Sequence, residues 1–183
     1  MQKIFSFLAY YDTIQSKKEG KQMEEVLEVL NQLEIEYETI YHPALYTCAD
    51  NDKYRVKIDG CACKNLFLRN KNKSCYYLFS LPTEKKANLK QLQEKLQETK
   101  LSFASEQDLE EKLHIQTGSV SLLNIIKVKN TDVIFLIDET VWKDKKVAFH
   151  PNINTATVLF SPREIEKILN HYHATYRFLK MES

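Results

Sequence analysis

Three short stretches of this 183-residue chain carry residue types that chemistry can use. In the first, Lys64-Asn65 opens the apolar run Leu66-Phe67-Leu68 and follows the small-residue approach Asp59-Gly60-Cys61-Ala62-Cys63. A lysine at the mouth of a strand is a compact, mobile cation suited to a backbone phosphate. The asparagine beside it can hold a carbonyl or hydroxyl group. Read blandly, the same lysine is an exposed strand end, since lysine is rarely buried unpaired. In the second stretch, Gly118-Ser119-Val120-Ser121, a glycine followed by small residues lets backbone N–H groups turn toward a ligand. Such a loop suits an ester carbonyl or a developing oxyanion, and it is also an ordinary turn. The third is Phe149-His150-Pro151-Asn152-Ile153-Asn154-Thr155-Ala156-Thr157. Pro151 fixes the turn after His150, and Asn152, Asn154 and Thr155 can hydrogen-bond the backbone. His150 is then free to shape a pocket or bond a substrate.

The familiar catalytic devices are absent. The chain has no Gly-x-Ser-x-Gly elbow, no Gly-x-x-x-x-Gly-Lys phosphate loop and no His-Glu-x-x-His metal site. Its four cysteines show no paired ligand spacing for zinc: Cys61 and Cys63 are close, whereas Cys48 and Cys75 stand alone. They are expected to be free buried thiols. His171 and His173 flank Tyr172 near a helix end and are expected to be solvated. Lys85, Lys86, Lys90 and Lys95, interspersed with Glu84, Glu94 and Glu98, read as a solvated helix face. The Lys85/Lys86 end is a lesser candidate for nucleic-acid contact.

The elements that must hold these stretches are legible in outline. Val26, Leu27, Val29, Leu30 and Leu33 recur at helical spacing from Met23 onward, after a polar Ser16–Gln22 segment that reads as linker. Tyr37 to Tyr41 predicts a strand stopped by His42-Pro43, and Thr47 to Val56 a short helix. Asn65 to Arg69 and Cys75 to Leu81 predict two strands joined by an Asn70-Lys71-Asn72-Lys73 turn. Asn88 and Ser105 are placed to cap helices running to about Glu98 and Leu113. A loop-like stretch from Gly118 leads to Ile125. Strands follow at Val133–Ile137, Val147–Phe149 and Thr155–Phe160, then a helix with Pro162 at its first position. Helices mixed with hairpin-connected strands predict an α+β single domain, with a mixed, largely antiparallel sheet flanked by helices. Residues 1–22 form an extension of uncertain order, and residues 23–183 the domain.

Composition narrows the setting. With 43% hydrophobic and 28% charged residues the chain is an ordinary globular one, and no apolar run approaches the roughly 18 residues of a membrane span. The apolar start lacks the cleavage site of a signal peptide. A cytoplasmic location is expected. A net charge of +1 excludes wholesale nucleic-acid binding and leaves room for a local basic patch.

Taken together, His42-Pro43-Ala44-Leu45-Tyr46-Thr47, Lys64 to Arg69, Gly118 to Ser121, the Asp138 segment and Phe149 to Thr157 resemble the YbaK/prolyl-tRNA synthetase-associated editing-domain family. The likeness runs from about Met23 to Leu169 and is closest to the free-standing prolyl-tRNA editing branch (ProX or ProXp-ala type). It implies a trans-editing deacylase that hydrolyses mischarged tRNA-Pro, alanine being the amino acid expected. The partners implied are the 3′ acceptor end of tRNA-Pro, with prolyl-tRNA synthetase as a second candidate; no cofactor, metal or membrane is implied. In such domains the lysine matching Lys64 contacts the tRNA 3′ end, with Asn65 a substrate contact beside it. The loop of Gly118, Ser119 and Val120 positions the ester through backbone groups, and His150 limits the size of the aminoacyl side chain. Asn154 and Thr155 complete the expected substrate-binding set. An aminoacyl ester is already activated, so placing a water beside it suffices without a protein nucleophile. The sequence departs from the family where the glycine loop commonly continues to proline, an aromatic and a small residue: here stand Leu122, Leu123 and Asn124. Two alternatives follow: a deacylase for cysteine or serine, and a module that binds tRNA or a synthetase without catalysis.

Overall fold

Alternation decides how the central strands are buried. In a computed structural model describing residues 19–44, 57–115, 117–128 and 132–182, the odd-numbered Cys61 and Phe67 of strand β2 (Cys61–Asn70) face one apolar cluster, and Leu68 the other. Strand β3 (Tyr76–Pro82) is buried along its whole length and divides in the same way, Tyr76 and Leu78 against Tyr77, Phe79 and Leu81. A strand with both faces covered reads as a continuous apolar run, as β3 does.

Helices and short turns close both sides. The first cluster takes Val26 and Leu30 from helix α1 (residues 19–32) and Leu109 and Leu113 from a later helix, Glu106–Leu113. It also takes Ile165, Ile168 and Leu169 from the last helix, Glu164–His171. The second cluster is smaller and centres on Leu92 of helix α2 (Leu89–Leu96), which Asn88 caps by accepting the Gln91 N–H. Ser105 caps the Glu106–Leu113 helix, now α3, in a reciprocal box with Asp108.

The remaining strands are β1 (Tyr37–Tyr41), β4 (Leu101–Phe103), β5 (Val133–Asp138), β6 (Val147–Phe149), β7 (Ala156–Phe160) and β8 (Thr175–Leu179), with the Glu164–His171 helix as α4. Their order is β1-β7-β6-β2-β3-β5-β8, and β4 lies on β2. The β1–β7, β6–β7, β2–β3 and β2–β4 pairs are antiparallel; β2–β6, β3–β5 and β5–β8 are parallel. The α+β, mixed sheet expected from sequence is present, with antiparallel pairing in a narrow majority.

Several boundaries move. Residues 19–22, part of the polar segment read as linker, are helical and belong to α1; residues 1–18 and the helix expected at 47–56 lie outside the described residues. Strands β4 and β8 were not anticipated. A 3₁₀ helix, Leu122–Lys127, replaces part of the loop expected before Ile125. Pro162 sits in a turn ahead of α4, closed by the Glu164 N–H on the Ser161 carbonyl, rather than inside the helix. Cys61, Cys63 and Cys75 are free thiols, of which Cys61 alone is fully buried.

Candidate functional site

Strand β2 is longer than any one neighbour, and the sheet forks along it. On the edge away from β3, Cys61 and Ala62 pair with Val147 and Ala148 of β6, and Leu68 to Asn70 pair with β4. Between these contacts residues 63–66 have no strand partner on that edge, so some of their backbone groups remain for another partner. Lys64 lies in this gap. Its ammonium donates to the Thr83 carbonyl at 2.9 Å, and among the described residues it forms no ion pair. Carrying the β2–β6 register two residues beyond Ala62–Ala148 sets Lys64 level with His150. Strand alternation continued past Phe149, where β6 ends, would set both side chains on one face of the sheet.

His150 continues into a small polar group on that face. The register of β6 with β7 runs Ala148–Leu159 and Phe149–Val158, which brings His150 to Thr157. The Thr157 hydroxyl lies 2.9 Å from His42 Nε2, and the His42 and His150 rings are 5.8 Å apart. His42 Nδ1 lies 2.9 Å from the Pro43 carbonyl. A carbonyl only accepts, so Nδ1 holds the proton, and in the neutral ring Nε2 accepts from Thr157. The His42 N–H also bonds the Thr155 carbonyl, fixing the end of β1 to the loop before β7. Burial, with His42 beside it, lowers the His150 pKa to about 4. At neutral pH His150 is an uncharged ring that adds no charge to the group around His42.

The glycine loop comes from the other side of the sheet, where Leu122, Leu123 and Ile125 join the first cluster. Gly118 has φ of 92°, in the region open to glycine. Ser119 and Val120 are half-buried, and the Ser119 carbonyl accepts from Asn124 Nδ2 at 3.3 Å. Asn124 also reaches across to Asn152, two residues beyond His150, donating from Nδ2 to Oδ1 at 2.7 Å. This bond ties the Gly118 loop to the His150 loop.

The other expected contacts fall differently. Asn65 alternates to the face opposite Lys64, where its Oδ1 accepts from the Ser80 hydroxyl at 2.6 Å. Asn154 and Thr155 are half-buried in the loop between β6 and β7. Lys85 departs from the solvated face read from sequence. Its ammonium sits 2.8 Å from Asp138 Oδ2 and donates to the Met181 carbonyl at 2.8 Å, and the Asp138 side chain is fully buried. An unneutralised carboxylate could not stay there, so the lysine is drawn inward. Sequence reasoning assigned no role to His42 or Asn124, and gave Asn152 only a backbone contact in its turn; the His42-Pro43 strand end was the available signal for the first. Among the described residues no three His, Cys, Asp or Glu side chains are grouped as metal ligands, and no helix is long and apolar enough to cross a membrane.

A lysine in a sheet fork, a neutral histidine and a glycine loop fastened to the histidine's loop make up the candidate site. Residues 42–168, well over half of the chain, match the aminoacyl-tRNA editing domain, and the chain belongs to that family of hydrolytic editing enzymes. It is 34% identical over 156 residues to the prolyl-tRNA editing protein ProX of Acetoanaerobium sticklandii, covering 85% of this chain and 95% of that protein. It is 32% identical over 139 residues to prolyl-tRNA synthetase associated domain-containing protein 1 of Mus musculus, covering 74% and 82%. Among solved structures, a candidate trans-editing enzyme for prolyl tRNA synthetase superposes with a TM-score of 0.64 at 16% identity, covering 88% of this chain and 98% of that one. The latter likeness is one of fold.

Proposed function

We propose that this chain is a free-standing, cytoplasmic editing deacylase that hydrolyses the ester of mischarged tRNA-Pro, with Ala-tRNA-Pro as its substrate. The observation that carries this reading is the position of Lys64 in the sheet fork, two residues past the β2–β6 pairing, where among the described residues it forms no ion pair. Lys64 leaves the Thr83 carbonyl to hold the phosphate of the tRNA 3′ end; a neutral acceptor is easily exchanged for an anion. Backbone N–H groups of Gly118, Ser119 and Val120 face the ester carbonyl and stabilise charge as it develops. His150 stands as the uncharged wall that admits a methyl side chain and excludes the proline ring. Asn154 and Thr155 bound the same wall, and Asn65 acts through Ser80 to hold β2 straight beneath the substrate.

The reaction needs no acyl-enzyme. Water adds to the ester carbon, the bond to the ribose oxygen breaks, and that oxygen leaves with a proton. Alanine and tRNA with a free 3′ end result, and the adjacent ribose 2′-hydroxyl assists the proton transfer. Serine and cysteine each add one polar atom to alanine, and a small pocket discriminates weakly against such additions. Prolyl-tRNA synthetase, the source of the mischarged product, is the natural partner.

The test is loss of ester from Ala-, Ser-, Cys- and Pro-tRNA-Pro on incubation with the purified protein. Alanine is expected to leave fastest and proline to be spared. Stability of all four esters, under conditions where a known editing enzyme acts, would sink the proposal.

A further inference from the structure

The glycine loop lacks the proline common in its family, and Leu122 stands in its place. The backbone there is nevertheless shaped for proline. Ser121, the preceding residue, is extended at φ −148° and ψ 152°, the conformation a following proline requires. Leu122 is the first residue of the 3₁₀ helix, where proline fits without loss of an intrahelical bond. What proline would impose through the backbone is here imposed by a side chain. Asn124 Oδ1 accepts the Ser121 N–H at 2.6 Å, and the Ser121 hydroxyl accepts the Leu123 N–H at 3.2 Å.

Asn124 does more than cap. It is fully buried and spends its amide N–H groups on Ser119 carbonyl at 3.3 Å and Asn152 Oδ1 at 2.7 Å. Asn152 is 1% exposed and held at φ 62°, a left-handed conformation that asparagine tolerates. Among the described residues its buried Nδ2 has no partner.

We propose that Asn124 and Asn152 are positioning residues that fix the distance between the glycine loop and the His150 loop, doing by a side-chain clasp what a proline does by backbone rigidity. The inference rests on the deacylase reading above. The clasp has no contact with the reacting ester. It sets where the Gly118 N–H groups stand relative to the wall formed by His150, and misplacement by about an ångström is enough to lose much of the rate.

A double-mutant cycle on Ala-tRNA-Pro hydrolysis tests this, using Asn124→Ala and Asn152→Gly. Glycine is chosen because it keeps the left-handed backbone while removing the side chain. Each single change is expected to lower kcat by 10- to 100-fold, on the order of a misplaced catalytic group. KM for the tRNA should change little, since the anchor is elsewhere. The double variant should be no slower than the slower single one. Adding Leu122→Pro to Asn124→Ala should restore most of kcat. Multiplying effects in the double variant would overturn the clasp, as would unchanged kcat in both single variants, or failure of proline to rescue. If the losses track a fall in Tm with kcat per folded molecule intact, the pair is merely structural and the proposal also fails. Wild-type protein that hydrolyses none of the four esters removes the deacylase reading and the clasp together; active wild type with an additive cycle removes the clasp alone.

Discussion

Two lysines near the middle of the sheet have opposite fates. Lys85, after β3, is drawn inward to a fully buried Asp138, which also accepts the Thr140 N–H at 2.9 Å and hydroxyl at 2.6 Å. Lys64, in the fork beside β6, donates to the Thr83 carbonyl and among the described residues forms no ion pair. The first lysine is held by charge and closes the C-terminal segment against the sheet through Met181. The second is half-buried against a neutral acceptor. On the proposed reading the second is left available for an anion.

The contrast can be broken by substitution, and the largest effect belongs to the buried pair. Lys85→Ala strands the Asp138 carboxylate, and unfolding by urea should show a loss of about 3–5 kcal/mol. Replacing both partners with apolar residues of similar size should cost less than either single change; a cost equal to the sum would contradict the pair's account. Next in size is the effect of pH through His150. Its folded pKa of about 4 lies below the ordinary 6.5, so the unfolded chain takes up the proton first. Stability from this ring is complete above pH 6.5 and is lost as pH falls toward 4, by about 3 kcal/mol in all. His150→Gln should flatten that part of the curve measured by denaturant melts across pH. The smallest effect on stability is expected for Lys64→Ala, which removes one hydrogen bond to a neutral acceptor and should cost about 1 kcal/mol or less. A loss as large as that of Lys85→Ala would erase the distinction between the two lysines.

How much of this was legible depended on where the partner lay in sequence. The β2–β3 hairpin showed itself because two apolar runs flank an Asn-Lys turn, and Asn70 does bond the Ser74 and Cys75 N–H groups. The caps at Asn88 and Ser105 are local and were readable. The helical state of Glu19 to Gln22 was not, since they precede the apolar stripe that marks the helix. Strand β4 is three residues long, too short for a period to appear. Strand β8 alternates Tyr176 and Phe178 with polar neighbours but follows directly on a helix and turn, and its edge position leaves it half exposed. The reading of Lys85 failed because its carboxylate lies 53 residues away. In the site, the alternation of Lys64 and Asn65 to opposite faces was implicit in a strand. The clasp between Asn124 and Asn152 was not, as it spans 28 residues between two loops.

Whether the unpaired lysine serves a substrate is decided most directly by single-turnover hydrolysis of Ala-tRNA-Pro with wild type and Lys64→Ala, both checked for an unchanged Tm. A fall in rate on the order of 100-fold is expected, with Lys64→Arg between the two. Hydrolysis by Lys64→Ala at the wild-type rate would contradict the role assigned to the fork.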